Sequence, residues 1–515
     1  MRVRGRAART AALAGAALLT AGALAGCDSP APPQPTPPET ASARPGSPPS
    51  SSPAPQKPNW KRCEAPEGGR APGPAWRCAT VDVPLDYARP DGDTIGIALI
   101  RKQATEKSRR VGSMLFNFGG PGGSGVDILP RAAASYRKLN TRYDLVGFDP
   151  RGVAGSSGVR CRTDEEQEKA YREIDMTPET AAEETAFVED GADFGAGCER
   201  RSGKVIPHVG TTNAARDMEV IRRTLGDAKL SYFGISYGTE LGGTYAHLFP
   251  ENVGRVVLDA VVDPTADAVG HARNQATGFQ RALENYLEDR GQDPEAGTRR
   301  IAALLRRIDA DPLPTSSGRR LNETLAITGI VTPLYSKSDW PTLTDALDEA
   351  QNSGTGDRLL RLADSYNGRD ENGHYDTQSH AQRAISCADT TSRPTVSEAR
   401  ALLPEFRELS PVFGPFLAWD TAGWCARWPV EGEHDTPEAS APGAAPMLVI
   451  GTTGDPATPY EGAQKMADEL GEGVGIMVTN KGEGHGSYDE SRCVTSLVDA
   501  YFLDGKVPAD GRTCG

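Results

Sequence analysis

The chain has no apolar stretch long enough for a comfortable bilayer span, no Cys-x-x-Cys and no His-Glu-x-x-His. The first absence speaks against several membrane spans. The other two remove common zinc-ligand spacings, and no metal site is expected. Aromatic residues are scarce at 6%, yet hydrophobic residues make up 37% of the 515, enough for a globular core. Positive charge is also in deficit: 56 Lys and Arg face 70 Asp and Glu, a net charge of −14 at pH 7. An acidic surface disfavours nucleic acid and anionic headgroups as partners. Histidine is rare too, with seven in the whole chain, so each can be weighed as a general base.

What is present points to export. Arg2, Arg4, Arg6 and Arg9 form a basic n-region before the Ala/Leu/Gly-rich stretch Thr10 to Ala25. That stretch ends in Leu24-Ala25-Gly26-Cys27, which resembles the bacterial lipobox. Residues 1–26 therefore read as a lipoprotein signal peptide, with Cys27 the lipidated residue and the membrane met only through that anchor. Residues 27–59 are rich in Pro, Ser and Ala and cannot bury enough surface to fold, so they read as a tether. Setting Cys27 aside leaves eight cysteines, an even number in an exported chain. Nearest-neighbour pairing (63–78, 161–198, 387–425, 493–514) is expected, because each bridge closes a local loop.

From Trp60 apolar runs alternate with helix-like segments. Candidate strands are Thr94–Arg101, Met114–Phe118, Tyr143–Phe148, Leu230–Ile235, Val256–Ala260, Met447–Gly451 and Gly475–Thr479. Several are continuously apolar, as parallel strands buried on both faces are. The alternation predicts an α/β fold with a mostly parallel central sheet and its site at the carboxyl ends of the strands. Residues 265–444 break the rhythm with helix-like patterns and read as a helical cap inserted between core parts 60–264 and 445–515.

Leu230–Ile235 runs into Gly234-Ile235-Ser236-Tyr237-Gly238 and then a helix-like segment. Gly-x-Ser-x-Gly between strand and helix is the nucleophile elbow of the α/β-hydrolase fold, with Ser236 as nucleophile. In that fold an acid and then a histidine follow in chain order. Met447–Gly451 leads to Asp455, and the next strand leads to Gly484-His485-Gly486, the single His downstream of Asp455. Asp455 and His485 are thus expected to complete a triad with Ser236. Met114–Phe118 is followed by the glycine-rich Gly119 to Gly125, with no Walker lysine. Its position suits an oxyanion loop, with the N–H groups of Gly120 and Tyr237 as donors.

These residues resemble the actinobacterial tripeptidyl aminopeptidases and related proline iminopeptidase-like peptidases. The resemblance rests on CATVDVPLDY (78–87), NFGGPGGSG (117–125), YDLVGFDPRG (143–152), GISYGTELGGTYAHLFP (234–250), GDPATP (454–459) and GEGHG (482–486). It implies serine peptidase action near free N-termini, release of tripeptides and no cofactor. Two positions depart from the pattern: Phe118 stands where proline iminopeptidases have His, and Ala154 where Gly is usual. The first argues against strict release of single prolines; the second is expected to matter little. An exopeptidase must hold an ammonium group, which a carboxylate does well, and Glu240 and Asp389 are the candidates. Two other readings remain open, an esterase or lipase on the same fold and a non-catalytic peptide-binding surface lipoprotein.

Overall fold

The computed structural model describes residues 56–65, 71–434 and 436–515. The expected signal peptide, Cys27 and most of the tether lie outside the described residues. The strands are β1 (Lys61–Arg62), β2 (Trp76–Pro84), β3 (Thr94–Lys102), β4 (Gly112–Asn117), β5 (Tyr143–Phe148), β6 (Leu230–Ser236), β7 (Val253–Val261), β8 (Leu313–Pro314), β9 (Arg320–Leu321), β10 (Met447–Gly454), β11 (Gly475–Glu483) and β12 (Arg512–Cys514). Ten of them form one sheet in the order β1-β2-β3-β5-β4-β6-β7-β10-β11-β12, while β8 and β9 pair apart. From β5 to β12 every pairing is parallel; β1, β2 and β3 add an antiparallel edge.

The parallel centre follows from composition. All six residues of β4 and of β5 are buried, and the strand period of two sends neighbours to opposite faces. Leu115, Val146, Leu258 and Val449 join one core layer, with Met218, Leu241 and Met466 from covering helices. Phe116, Leu145, Val257 and Leu448 join the other, with Val498 and Phe502 from the helix Arg492–Asp504. β3 matches the expected strand at Thr94–Arg101, but β1, β2 and β12 fall outside the set expected from the sequence. β1 and β12 are two and three residues long, and β2 lies half in solvent and carries no continuous apolar run.

Between β7 and β10 the chain makes eight described α-helices, from Ala268–Asp289 to Gly414–Gly423. They hold a third core layer that includes Phe279, Leu283, Leu304, Ile330, Phe406 and Trp419. This layer also takes in Ala457, from the loop after β10, so the inserted helices pack directly on a site loop. Disulfides join Cys63 to Cys78, Cys161 to Cys198, Cys387 to Cys425 and Cys493 to Cys514. Four bridges point to an oxidising, extracytoplasmic compartment.

Candidate active site

Ser236 ends β6 and precedes the helix Tyr237–Leu248, with φ 57° and ψ −128°. The bend is tight enough that a Cβ at Gly234 would fall 2.3 Å from the Gly238 carbonyl, and one at Gly238 would fall 2.7 Å from that of Asn117. Such a turn lifts the serine to the rim of the sheet at a helix N-terminus, whose first N–H groups have no partner within the helix. The glycine-rich loop after β4 lies against it. A Cβ at Gly119 would sit 2.6 Å from Ser236 Cβ, so the loop reaches the serine only because residue 119 has no side chain. Asn117, buried in β4, accepts a hydrogen bond from the Gly119 N–H at 2.9 Å. Gln382, from the inserted helix Gln378–Asp389, donates to the Gly120 carbonyl at 3.3 Å. The first two residues of the expected oxyanion loop are therefore held.

Asp455, fully buried, follows β10, and His485 follows β11. Nδ1 of His485 lies 2.9 Å and 3.1 Å from the two carboxylate oxygens of Asp455. Asp455 also accepts from the N–H groups of Ala457 at 3.0 Å and Thr458 at 2.9 Å. These bonds fix the carboxylate and, through it, the imidazole tautomer with a proton on Nδ1. Burial pushes the imidazole pKa down, but the charge and hydrogen bond of Asp455, with Asp259 behind, outweigh it and raise the value above 6.5. No hydrogen bond joins Ser236 to His485 among the described residues. The structure thus brings together the acid and the base, and sets the serine against the glycine loop. In unliganded sites the nucleophile–base contact is often long and tightens with substrate.

Three supporting residues escaped the sequence reading. The hydroxyl of Thr458 donates to Asp455 at 3.1 Å and lies 3.3 Å from His485 Nδ1; the Asp-x-x-Thr spacing is its only signal. Asp259, buried in β7, accepts from the Ser487 N–H and hydroxyl at 2.9 Å each and from the Tyr488 N–H at 3.0 Å, anchoring the loop that carries His485. Tyr335, from the inserted helices, accepts from the His485 N–H at 2.8 Å and sets its ring edge-on to the imidazole at 5.2 Å. A pattern-based reading has no way to see a contact between positions 150 residues apart.

Glu240 and Asp389 are far apart in the chain, yet the Glu240 charge acts on Asp389. Burial pushes Glu240 up to about 7. Burial, and then the Glu240 charge, hold Asp389 well above the usual carboxylate range. The other groups acting most on Asp389 are Thr211 and Glu433, and neither is a cation. A carboxylate pair with no cation among its main determinants is a site into which an ammonium group fits electrostatically. Elsewhere, Asp175, Asp309 and Glu323 bring carboxylate oxygens within 4.8 Å of one another, but a partly exposed acidic group of that kind carries no assignment.

A mostly parallel sheet with helices on both faces, a strand–Ser–helix turn and an Asp–His pair at the neighbouring strand ends define an α/β-hydrolase with serine chemistry. A family profile described as TAP-like protein matches residues 410–514. The chain is 37% identical over 462 residues to serine protease Hip1 of Mycobacterium tuberculosis, covering 85% of this chain and 87% of that one. It is 35% identical over 454 residues to carboxylesterase B of the same organism, covering 85% and 86%. It is 30% identical over 475 residues to tripeptidyl aminopeptidase of Streptomyces lividans, covering 88% and 86%. The chain belongs to the tripeptidyl-aminopeptidase-like family, and it is a serine peptidase of the α/β-hydrolase type.

Proposed function

We propose that the protein is a secreted serine exopeptidase that hydrolyses peptide bonds near free N-termini and releases tripeptides, with Ser236, His485 and Asp455 as its triad. In this reading Nε2 of His485 takes the Ser236 proton as Oγ attacks the scissile carbonyl carbon. The N–H groups of Gly120 and Tyr237 stabilise the oxyanion, and Asp455 stabilises the imidazolium. His485 passes its proton to the leaving amine as the C–N bond breaks and the acyl-enzyme ester forms. It then deprotonates the water that cleaves the ester, and Ser236 regains its proton. The helices of residues 265–444 act as a cap over this centre. Cys27 is read as the lipid anchor, which metabolic labelling with a radioactive fatty acid would test by its loss in Cys27→Ser.

The observation that supports exopeptidase action is the carboxylate pair of half-buried Glu240, one helical turn after the serine, and buried Asp389, neither of which has an ion-pair partner among the described residues. A peptide α-ammonium supplies the missing charge. The test compares tripeptide nitroanilides with a free and an acetylated N-terminus. Free-amine peptides should be preferred at least about a hundredfold, two charge-assisted contacts at about 1.5–3 kcal/mol each, and Glu240→Gln should erase most of that preference. Equal turnover of blocked and free peptides by the parent enzyme would refute the reading. Ser236→Ala should lose several orders of magnitude of activity and all labelling by a fluorophosphonate probe; a labelled variant would point to a different nucleophile. The relative named carboxylesterase B favours a second reading, an esterase, which short acyl esters turned over faster than any free-amine peptide would establish.

A further inference from the structure

Three helix ends meet beside the serine. Asp389 is the last residue of the helix Gln378–Asp389, Thr211 the first of Thr211–Leu225, and Tyr237 the first of Tyr237–Leu248. The residue before Thr211 is Gly210, so this helix has no side-chain cap of its own. Asp389 supplies one from across the structure: its Oδ1 accepts from the Thr211 N–H at 2.6 Å. Its Oδ2 accepts from the Thr211 hydroxyl at 2.7 Å. That hydroxyl spends its one proton on Asp389, so it can only accept from the Tyr237 phenol 2.6 Å away. All three side chains are buried, Thr211 at 1%, Tyr237 at 4% and Asp389 at 8% exposure. With Asp389 ionised, as ammonium binding requires, the donor order runs from phenol to hydroxyl to carboxylate, with little solvent to replace any member.

One end of this chain is a carboxylate proposed to hold the substrate ammonium. The other is the side chain of the residue whose backbone N–H is proposed to hold the oxyanion and whose neighbour is Ser236. We infer that Thr211 is a positioning residue that sets the distance between the N-terminal ammonium site and the oxyanion hole, and so determines how many residues are removed. This rests on the ammonium-site reading above. A buried Thr at a helix start with no further role would still cap and pack. Its hydroxyl would then affect stability alone, not the choice among peptides of different length.

The experiment measures kcat and KM for free-amine di-, tri- and tetrapeptide nitroanilides, and for an N-acetylated tripeptide, in the parent enzyme and in Thr211→Val, Thr211→Ser, Tyr237→Phe and Asp389→Asn. Thr211→Val keeps the side-chain shape and the backbone bond to Asp389 and removes only the hydroxyl. The kcat/KM ratio between the preferred length and its neighbours should fall roughly tenfold, the scale of one buried hydrogen bond, carried mainly by kcat. Thr211→Ser should restore it. Tyr237→Phe breaks the same chain at its other end and should give the same loss, which keeps the test open if Thr211→Val does not fold. Parent-like length selectivity in Thr211→Val, or in Tyr237→Phe if the valine variant is lost, overturns the inference. If Asp389→Asn then still loses the preference for free over acetylated substrate, the ammonium site stands without it. If Asp389→Asn keeps that preference, both readings fall.

Discussion

Ala154 has φ 37°, in a region that favours glycine, and is one of the two departures from the resemblance noted in the sequence. The chain just after it is pinned, since the Gly155 N–H and the Ser156 hydroxyl both bond to Asp149. A left-handed non-glycine residue costs about 1–2 kcal/mol, and the greater freedom of glycine in the unfolded chain offsets about 0.5–1 of that. Ala154→Gly should therefore stabilise by roughly 0.5–1 kcal/mol, read from the urea midpoint at unchanged slope. A destabilised variant would show that the neighbouring bonds have relaxed the strain. The titrating residues give a second prediction at this scale. His485 must be neutral to act as base, and its folded value is raised above 6.5 by Asp455. Its protonated form contributes stability below the unfolded value, and that contribution is lost as pH rises through the folded one, so activity is gained where this stability is given up. The Glu240–Asp389 pair must also ionise to bind an ammonium, and burial places Glu240 at about 7. For a free-amine peptide log(kcat/KM) should thus rise through the neutral range with a slope approaching about two, and for a blocked ester with a slope of about one. Glu240→Gln should bring the peptide slope down to that of the ester; identical slopes for both substrates in the parent enzyme would remove the pair from recognition.

At the scale of elements, the decisive contact is one no periodicity reports. The helix Ala268–Asp289 crosses the loop that carries Asp455 so closely that a Cβ at Gly278 would fall 2.4 Å from the Pro456 carbonyl. The same helix pairs Arg281 with Glu461 at 2.9 Å and bonds Asn285 to Glu483 at 3.1 and 3.0 Å, so it grips the helix that follows β10 and the end of β11. Gly278→Ala should push the Asp455 loop away by several tenths of an ångström. Because a displacement near 1 Å in a catalytic group costs about a hundredfold, kcat should fall between about tenfold and a hundredfold with KM little changed. A parent-like kcat would mean the helix, not the loop, yields. The sequence made the elbow, the Asp455 and His485 loops and the glycine-rich loop legible because each is a local event, a turn after an apolar strand. The Asp259 anchor was hidden for the opposite reason. It sits at a bulge in β7, where Ala260 has φ 58° and the register against β6 shifts, and a bulge of one residue leaves no trace in an apolar run.

For the whole molecule, the alternation of strand and helix disclosed the class of fold, and the even cysteine count disclosed the compartment. Neither disclosed how the inserted helices meet the sheet, since that depends on contacts across hundreds of residues. They touch the site from three sides: Tyr335 on His485, Gln382 on Gly120 and Asp389 on Thr211. The Cys387–Cys425 bridge fastens the helix that ends in Asp389 to the chain following Gly414–Gly423, so the third contact is also covalently tied. In the proposed reading, a substrate reaches the serine as an extended, unfolded end threaded between helices and sheet rather than as a folded surface laid across it. Cleavage of a protein should depend on the state of its N-terminus and not on the internal sequences it exposes. A reduced, carboxymethylated protein should lose residues stepwise from its N-terminus in mass spectra, while its native form, with that end built into a sheet, should stay intact over the same time. Internal fragments from the unfolded protein would mean that the helices leave an open groove, and the exopeptidase reading would then give way to an endopeptidase on the same scaffold.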